Sequence, residues 1–435
     1  MGWLSVMWSH LKEKGVVLPK ITAEEISKKV EPVLREMERV GVMIDASILE
    51  GLEDKLETRI SKLETKVHRL AGREFNINSP LQLAEVLFRD LRLPSTDLKR
   101  TKTGVSTAAG ELLKLKSRHP IIEPILEYRE LAKLVSTYLK PLPRMVDADS
   151  RIHTTYGQET STGRITSANP NLQNIPIKGE YGPEIRRAFV AAPGCKLVAG
   201  DYSQIELRIV ACLAQDKTMM AAFAGGEDIH AQTASEIFNV PLNRVTSDQR
   251  RVAKTVNFGV LYGMSAYGLA QALGISREQA ADYIKRYFEI HEGIKKYCHD
   301  VIAKVAKDKY TETLFGFRRS FENFNRYNHN LVEAEERMAI NAPVQGTAAE
   351  ILKLAMVELI KKLKEVPHPN PLPADRARES ARLILTVHDE IVVEVPARSA
   401  EEMARLVKET MESVVKLCVP LKAEVGIGRN WAETK

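Results

Sequence analysis

The chain has 435 residues, too many for one ordinary compact core, so two or three domains or subdomains are expected. Its 63 basic and 57 acidic residues leave a formal charge of +6, an excess too small to establish a polyanionic partner unless the charge is clustered. Four dispersed cysteines, Cys195, Cys212, Cys298 and Cys418, form no Cys-x-x-Cys pair, which argues against a zinc site or a disulfide framework and suits a reducing, cytoplasmic location.

No apolar run approaches the roughly 20 residues of a membrane helix, so no membrane partner is expected. The apolar start, Trp3 to Trp8, is short and runs into His10, Lys12 and Lys14 without a basic leader. It reads as a segment packing on the body or as the remnant of a larger upstream region, and not as a signal peptide. From Thr22 to Val40 the apolar positions Ile26, Val30, Val33, Leu34, Met37 and Val40 follow helical spacing, and Gly41 closes the segment. A second helix carries Leu49, Leu52, Leu56, Ile60, Leu63, Val67 and Leu70 and stops at Gly72. Between Lys99 and Arg118 basic residues (Lys99, Arg100, Lys102, Lys114, Lys116, Arg118) and hydroxyls face one acid, Glu111. That composition suits either phosphate contacts or an ordinary solvated loop. His119 and Pro120 then open a helix expected to run through Leu139.

Residues 151–190 are polar and turn-rich, with Thr160 to Ser167 around Arg164 leading into Asn169 to Pro176. These amides and hydroxyls could satisfy loop backbone or meet base edges in a minor groove. The run Lys196 to Asp201 followed by Ile205, Ile209 and Leu213 reads as strand, tight turn and helix, with Asp201 at the strand end, a place where Asp commonly serves as a cap. Thr246 and Gln249 resemble a capping box, and beyond them Arg250, Lys254, Phe258 and Tyr262 recur every four residues on one helix face. The stripe is either a nucleotide platform or a solvated basic turn followed by a core aromatic pair. Residues 276–340 read as mostly helical, interrupted at Phe315 to Arg319, and Val366 to Pro373 reads as an exposed extended loop because proline recurs there. Leu383 to Val395 reads as a buried hairpin with His388 and Asp389 at its tip.

Together DYSQIELR (201–208), RRVAKTVNFGVLYG (250–263) and VHDE (387–390) resemble the signature motifs of family A DNA polymerases, the bacterial DNA polymerase I type. The resemblance extends to TGRITSANPNLQNIP (162–176), NSPLQLAEVLF (78–88) and TKTGVSTAAGELL (101–113), and it covers the chain from about residue 30 onward in the family's order. It implies an α+β multidomain right hand, helix-rich, with a small, mainly antiparallel palm sheet. The implied division is an N-terminal segment (1–44) packing on the palm, a thumb (45–140), a palm in two parts (141–215 and 341–435) and fingers (216–340).

By the same resemblance, Asp201, Asp389 and the backbone carbonyl of Tyr202 hold two magnesium ions, with manganese as a substitute, and Glu390 is an auxiliary acid. Arg250, Lys254 and His230 match triphosphate contacts, and Lys254 is also a candidate proton donor to the leaving pyrophosphate. Phe258, Tyr262, Gln204 and Glu206 match the rest of the nucleotide site, Glu206 as the residue that excludes a 2′-hydroxyl. Arg164, Asn171, Gln173, Arg337, Asn341, Gln345 and His388 match positions near primer or template, and Lys99, Arg100 and Lys102 lie at the implied thumb tip. The expected partners are primer-template DNA and dNTPs, bound by a monomer. Only about 40 residues precede the implied thumb, too few for a proofreading or 5′ nuclease domain, so a polymerase-only protein or a fragment of a longer product is expected. Two alternatives are a single-subunit RNA polymerase, against which Glu206 argues, and a non-catalytic DNA-binding subunit, against which the presence of Asp201, Asp389, Arg250 and Lys254 argues.

Overall fold

The computed structural model describes residues 11, 15–102, 104–322, 324, 329–365 and 381–435. The apolar stretch Trp3 to Trp8 and the proline-rich run Val366 to Pro373 lie outside them. Helix α1 (Ala23–Val40) begins with a reciprocal cap: Thr22 accepts from the Glu25 amide, and the Glu25 carboxylate accepts from the Thr22 amide. Gly41, with φ of 65°, ends it in a conformation that costs a larger residue energy. Its periodic apolar residues are all buried, against helix His329–Glu365 and strand Arg382–Val387.

Helix α2 (Ala46–Ala71) buries Leu49, Leu52, Leu56, Leu63 and Val67 and packs on helix α3 (Ile122–Leu134). Between them a small hairpin, β1 (Arg100–Thr101) and β2 (Gly104–Val105), carries the basic run. Helix α3 stops short of the expected Leu139. A wider π-helical turn spans Val135–Leu139, and the Tyr138 hydroxyl donates to the Asn174 carbonyl at 2.5 Å.

The turn-rich segment forms the hairpin β3 (Thr155–Gly157) and β4 (Thr166–Ala168). Strand β5 (Cys195–Tyr202) follows, then helix α4 (Ile205–Ala214). A helical block comes next: α5 (Ile229–Phe238), α6 (Ser247–Leu261), α7 (Arg277–Ile290), α8 (Glu292–Asp308) and the 37-residue α9 (His329–Glu365). Helix α9 passes through Pro343 without ending and is continuous across 340 and 341, where the sequence reading put a border between fingers and palm.

Strands β6 (Arg382–Val387) and β7 (Glu390–Pro396), helix α10 (Ala400–Ser413) and strand β8 (Ala423–Gly428) follow. The four strands form one antiparallel sheet in the order β6-β7-β5-β8. Alternate residues of β5 enter different cores. Leu197 and Ala199 pack with Leu385, Val392 and Trp431, whereas Val198 packs with Ile391, Val407 and Met411. Because both faces are covered, β6 and β7 read as nearly continuous apolar runs. Gly200 lies within β5, as a strand ending at Asp201 requires, and a Cβ there would fall 2.7 Å from both Met411 Sδ and Val407 Cγ1. Its missing side chain is what lets α10 lie on the sheet.

Candidate active site

Strand pairing positions the acidic residues. Asp201 on β5 pairs directly with Glu390 on β7 and with Glu424 on β8, so the three carboxylates project from one face of the sheet in a single row. Asp389 precedes Glu390 in the two-residue tip of the β6–β7 hairpin, where His388 takes a left-handed φ of 54°. The Tyr202 amide donates to the Asp389 carbonyl at 3.2 Å and ties that tip to the end of β5. Burial pushes the Asp389 carboxyl above the usual range; Arg164 pulls it down, and the charge of Asp201 pushes it up again. The two aspartates, 188 positions apart in sequence (389 minus 201), thus feel each other across adjoining strand ends.

Glu390 faces inward. It is only 2% exposed, Oε1 accepts from Trp431 Nε1 at 2.9 Å, and Oε2 lies 3.2 Å from Lys435 Nζ and 3.8 Å from Arg186 Nη1. The Arg186 guanidinium stacks over Trp431 at 3.7 Å from the ring centroid. Lys435 Nζ also reaches Asp201 Oδ2 at 3.3 Å.

The turn from β5 to α4 is made by Gln204 with φ of 57°, a left-handed conformation uncommon outside glycine and asparagine. One residue into α4, Glu206 is buried and accepts from Arg164 Nη2. Burial raises its carboxyl to about 7, against the pull of Arg164 and with a further push from Asp389. A cleft of about 230 Å³ opens beside this pair, lined by Thr162, Arg164, Gln173, Leu352, His388 and Asp389 among others. Gln173 Nε2 donates to the Thr386 carbonyl at 3.4 Å, whereas the Asn171 side chain is used as a cap, accepting from the Gln173 amide at 3.0 Å.

A second group lies on α6 and α5. The Thr246 and Gln249 capping box forms as the sequence requires, and it starts α6 so that Arg250 and Lys254 are exposed while Phe258 and Tyr262 are half-buried. The rings of Phe258 and Tyr262 stack with centroids 6.2 Å apart at 25°, and His230 lies 5.6 Å from Phe258. His230 is buried, and loss of solvent lowers its pKa to about 4, so it is neutral at pH 7. Asn257 Nδ2 donates to His230 Nδ1 at 3.0 Å, which leaves Nε2 as the protonated, donating nitrogen. Arg250 Nε donates to Asp228 Oδ2 at 2.5 Å, and Asp228 also caps α5.

Arg337, Asn341 and Gln345 recur every four residues on α9, and Arg337 packs on Gly263, whose Cβ would fall 2.5 Å from Arg337 Cγ. The Asn341 Oδ1 is buried without a hydrogen-bond partner among the described residues. Lys99, Arg100 and Lys102 are exposed on the β1–β2 hairpin, where the Lys99 amide is held by Glu111 Oε2 at 3.0 Å. The sequence reading did not single out Asp228, Asn257, Arg186, Trp431 or Lys435. Asp228 carried a signal, since an Asp before Ile229 and His230 is a helix-capping pattern. Lys435 carried none, because only tertiary packing brings it to β5.

The family model for DNA polymerase family A matches residues 46–433. DNA polymerase I, thermostable, of Thermus caldophilus is 48% identical over 414 residues, which is 94% of this chain and 48% of that protein. DNA polymerase I of Deinococcus radiodurans is 46% identical over 95% of this chain and 42% of its own length. The chain therefore spans about half the length of the relatives it matches. The POL domain of Pol1 from M. smegmatis, solved in complex with DNA primer-template and dNTP, superposes with a TM-score of 0.87 at 40% identity, covering 94% of this chain and 70% of that one. These likenesses bear out the helix-rich right-hand fold with its small antiparallel sheet. A match across nearly the whole chain, in sequence and in fold, makes this chain a member of DNA polymerase family A.

Proposed function

We propose that this chain adds deoxynucleotides to a primer 3′ end under the direction of a template, by phosphoryl transfer assisted by two magnesium ions. The observation that carries the proposal is the approach of Asp201 and Asp389 at adjoining strand ends, beside a cleft lined by Arg164, Gln173 and His388. Among the described residues no group of three or more His, Cys, Asp or Glu side chains makes a ready metal cage. Two carboxylates and an open cleft instead suit a hard divalent cation that takes its remaining oxygens from water and substrate phosphates, and manganese accepts the same donors. Asp201 and Asp389, with the Tyr202 carbonyl, would hold the ions. Ions held there would supply Lewis-acid activation of the primer hydroxyl and neutralisation of charge on the phosphates.

The protein's own groups divide the remaining work. Arg250 and Lys254 attract the triphosphate at the exposed end of α6, and neutral His230 donates to it from Nε2. Lys254 is placed to protonate the leaving pyrophosphate. Phe258 offers a stacking face to the incoming nucleotide, Tyr262 lies toward the template base, and Gln204 lines the nucleotide site. Arg164, Asn171, Gln173, Arg337, Asn341, Gln345 and His388 contact primer and template through minor-groove acceptors, which are alike for all correct pairs and so report duplex shape. Buried Glu206 blocks the position of a 2′-hydroxyl, and Arg164 holds it there. Glu390 anchors the Asp201 strand from beneath, through Trp431 and Arg186.

Primer extension on DNA and RNA templates, with dNTPs and NTPs supplied separately, tests the reading. Asp201→Asn or Asp389→Asn is expected to lower extension by about 10³-fold or more, since each removes several kcal/mol of charge stabilisation. Primer-template binding stays within a few-fold, because phosphate contacts elsewhere supply it. Near-normal extension by either variant refutes the assignment.

A further inference from the structure

Three carboxylates stand side by side on one sheet face, Glu390, Asp201 and Glu424, and directly opposed like charges repel. Among the described residues one ammonium lies between two of them. Lys435 Nζ is 3.3 Å from Asp201 Oδ2 and 3.2 Å from Glu390 Oε2. The two carboxylates differ in what else holds them. Glu390 is 3% exposed at its side chain, and Trp431 Nε1 and the nearby Arg186 fix it in place. The Asp201 side chain is 44% exposed, and Lys435 is its only described side-chain bond partner.

We propose that Lys435 is a built-in counter-cation for the metal site: it occupies the Asp201 carboxylate until a divalent ion takes that oxygen, and Glu390 then retains it. The inference rests on the reading of Asp201 as a metal-holding residue. The ammonium and a divalent ion compete for one carboxylate and also repel each other, so Lys435 weakens metal binding while keeping Asp201 oriented when no metal is present. Glu390 makes the arrangement reversible, because a buried carboxylate with a fixed indole partner gives the ammonium a place to remain. Without that second carboxylate the lysine would swing into solvent, and its return would be slower and less directed. Lys435 is thus a positioning residue that acts through Asp201.

Manganese binding to the whole chain, without DNA or nucleotide and followed by electron paramagnetic resonance, tests this directly. Lys435→Met is expected to tighten the Mn²⁺ Kd by about tenfold, as loss of one nearby positive charge predicts. Lys435→Arg keeps the charge and is expected to stay within about twofold of the parent. In an Asp201→Asn background the effect of Lys435→Met vanishes, since the competition has lost its object. An unchanged or weaker Kd in Lys435→Met overturns the inference, as does a gain that persists in the Asp201→Asn background. If Asp201→Asn leaves parental Mn²⁺ binding intact, the metal assignment fails and this inference fails with it. If Asp201→Asn abolishes binding and Lys435→Met changes nothing, only the lysine's role is refuted.

Discussion

At the residue scale, the resemblance names Arg164 and Glu206 for separate tasks, one near DNA and one near the sugar, and the structure joins the half-exposed guanidinium to the buried carboxylate in one ion pair. Sequence spacing could not reveal this, because 42 positions separate them and the contact depends on how hairpin β3–β4 folds over α4. The pairing leaves a titration signature. Burial raises the Glu206 carboxyl from an ordinary 4.5 to about 7, and Arg164 offsets only part of that. The native carboxyl therefore keeps its proton at pH values where the unfolded chain has already lost it. Its contribution to stability is complete below about pH 4.5 and is lost as pH rises through about 7. Glu206→Gln, which cannot ionise, is expected to flatten the fall in unfolding free energy across that window relative to the parent. Denaturant melts at half-unit pH steps measure it, and parallel curves for the two proteins would show that Glu206 titrates normally.

At the element scale, most boundaries follow from local chemistry. The capping boxes of α1 and α6 and the glycines after α1 and α2 end or start helices where the sequence predicts. Departures occur where tertiary packing overrides local signals: Pro343 inside α9 and the π turn after α3. Gly200 lies inside the strand that the sequence expects to end at Asp201, and no local signal says why a glycine is needed there. Its constraint comes from α10, which begins only at Ala400, after β7. Gly200→Ala places a methyl against the Val407 branch, which cannot swing away as the Met411 end can. The variant is expected to lose about 1–3 kcal/mol of stability. Because Asp201 is the next residue, α10 or β5 must shift at the proposed metal-holding position, and extension rate is expected to fall along with the melting temperature. A variant as stable and as active as the parent would mean that α10 tolerates the added carbon by moving elsewhere.

At the scale of the whole molecule, the composition said little, because +6 over 435 residues is compatible with many roles. The distribution says more. Arg250 and Lys254 lie at the proposed nucleotide end, while Lys99, Arg100 and Lys102 stand exposed on the small β1–β2 hairpin. If the hairpin grips the duplex as proposed, it does so through phosphates, and it is then expected to add affinity without reading sequence and without touching the proposed chemistry at Asp201 and Asp389. The two contributions separate by salt. Each phosphate contact adds about 0.9 to the slope of log K against log salt, so replacing Lys99, Arg100 and Lys102 together with alanine lowers that slope by up to about 2.7. Binding weakens most at low salt, where the released counterions favour association most strongly. Single-nucleotide insertion from a saturated, preformed complex is expected to stay within about twofold of the parent, because no reacting atom has lost a partner. Fluorescence anisotropy of a labelled primer-template across a salt series, with rapid-quench insertion on the same variant, measures both. An unchanged salt slope removes the hairpin from the DNA interface, and a collapsed insertion rate at saturating DNA would tie it to the active centre instead.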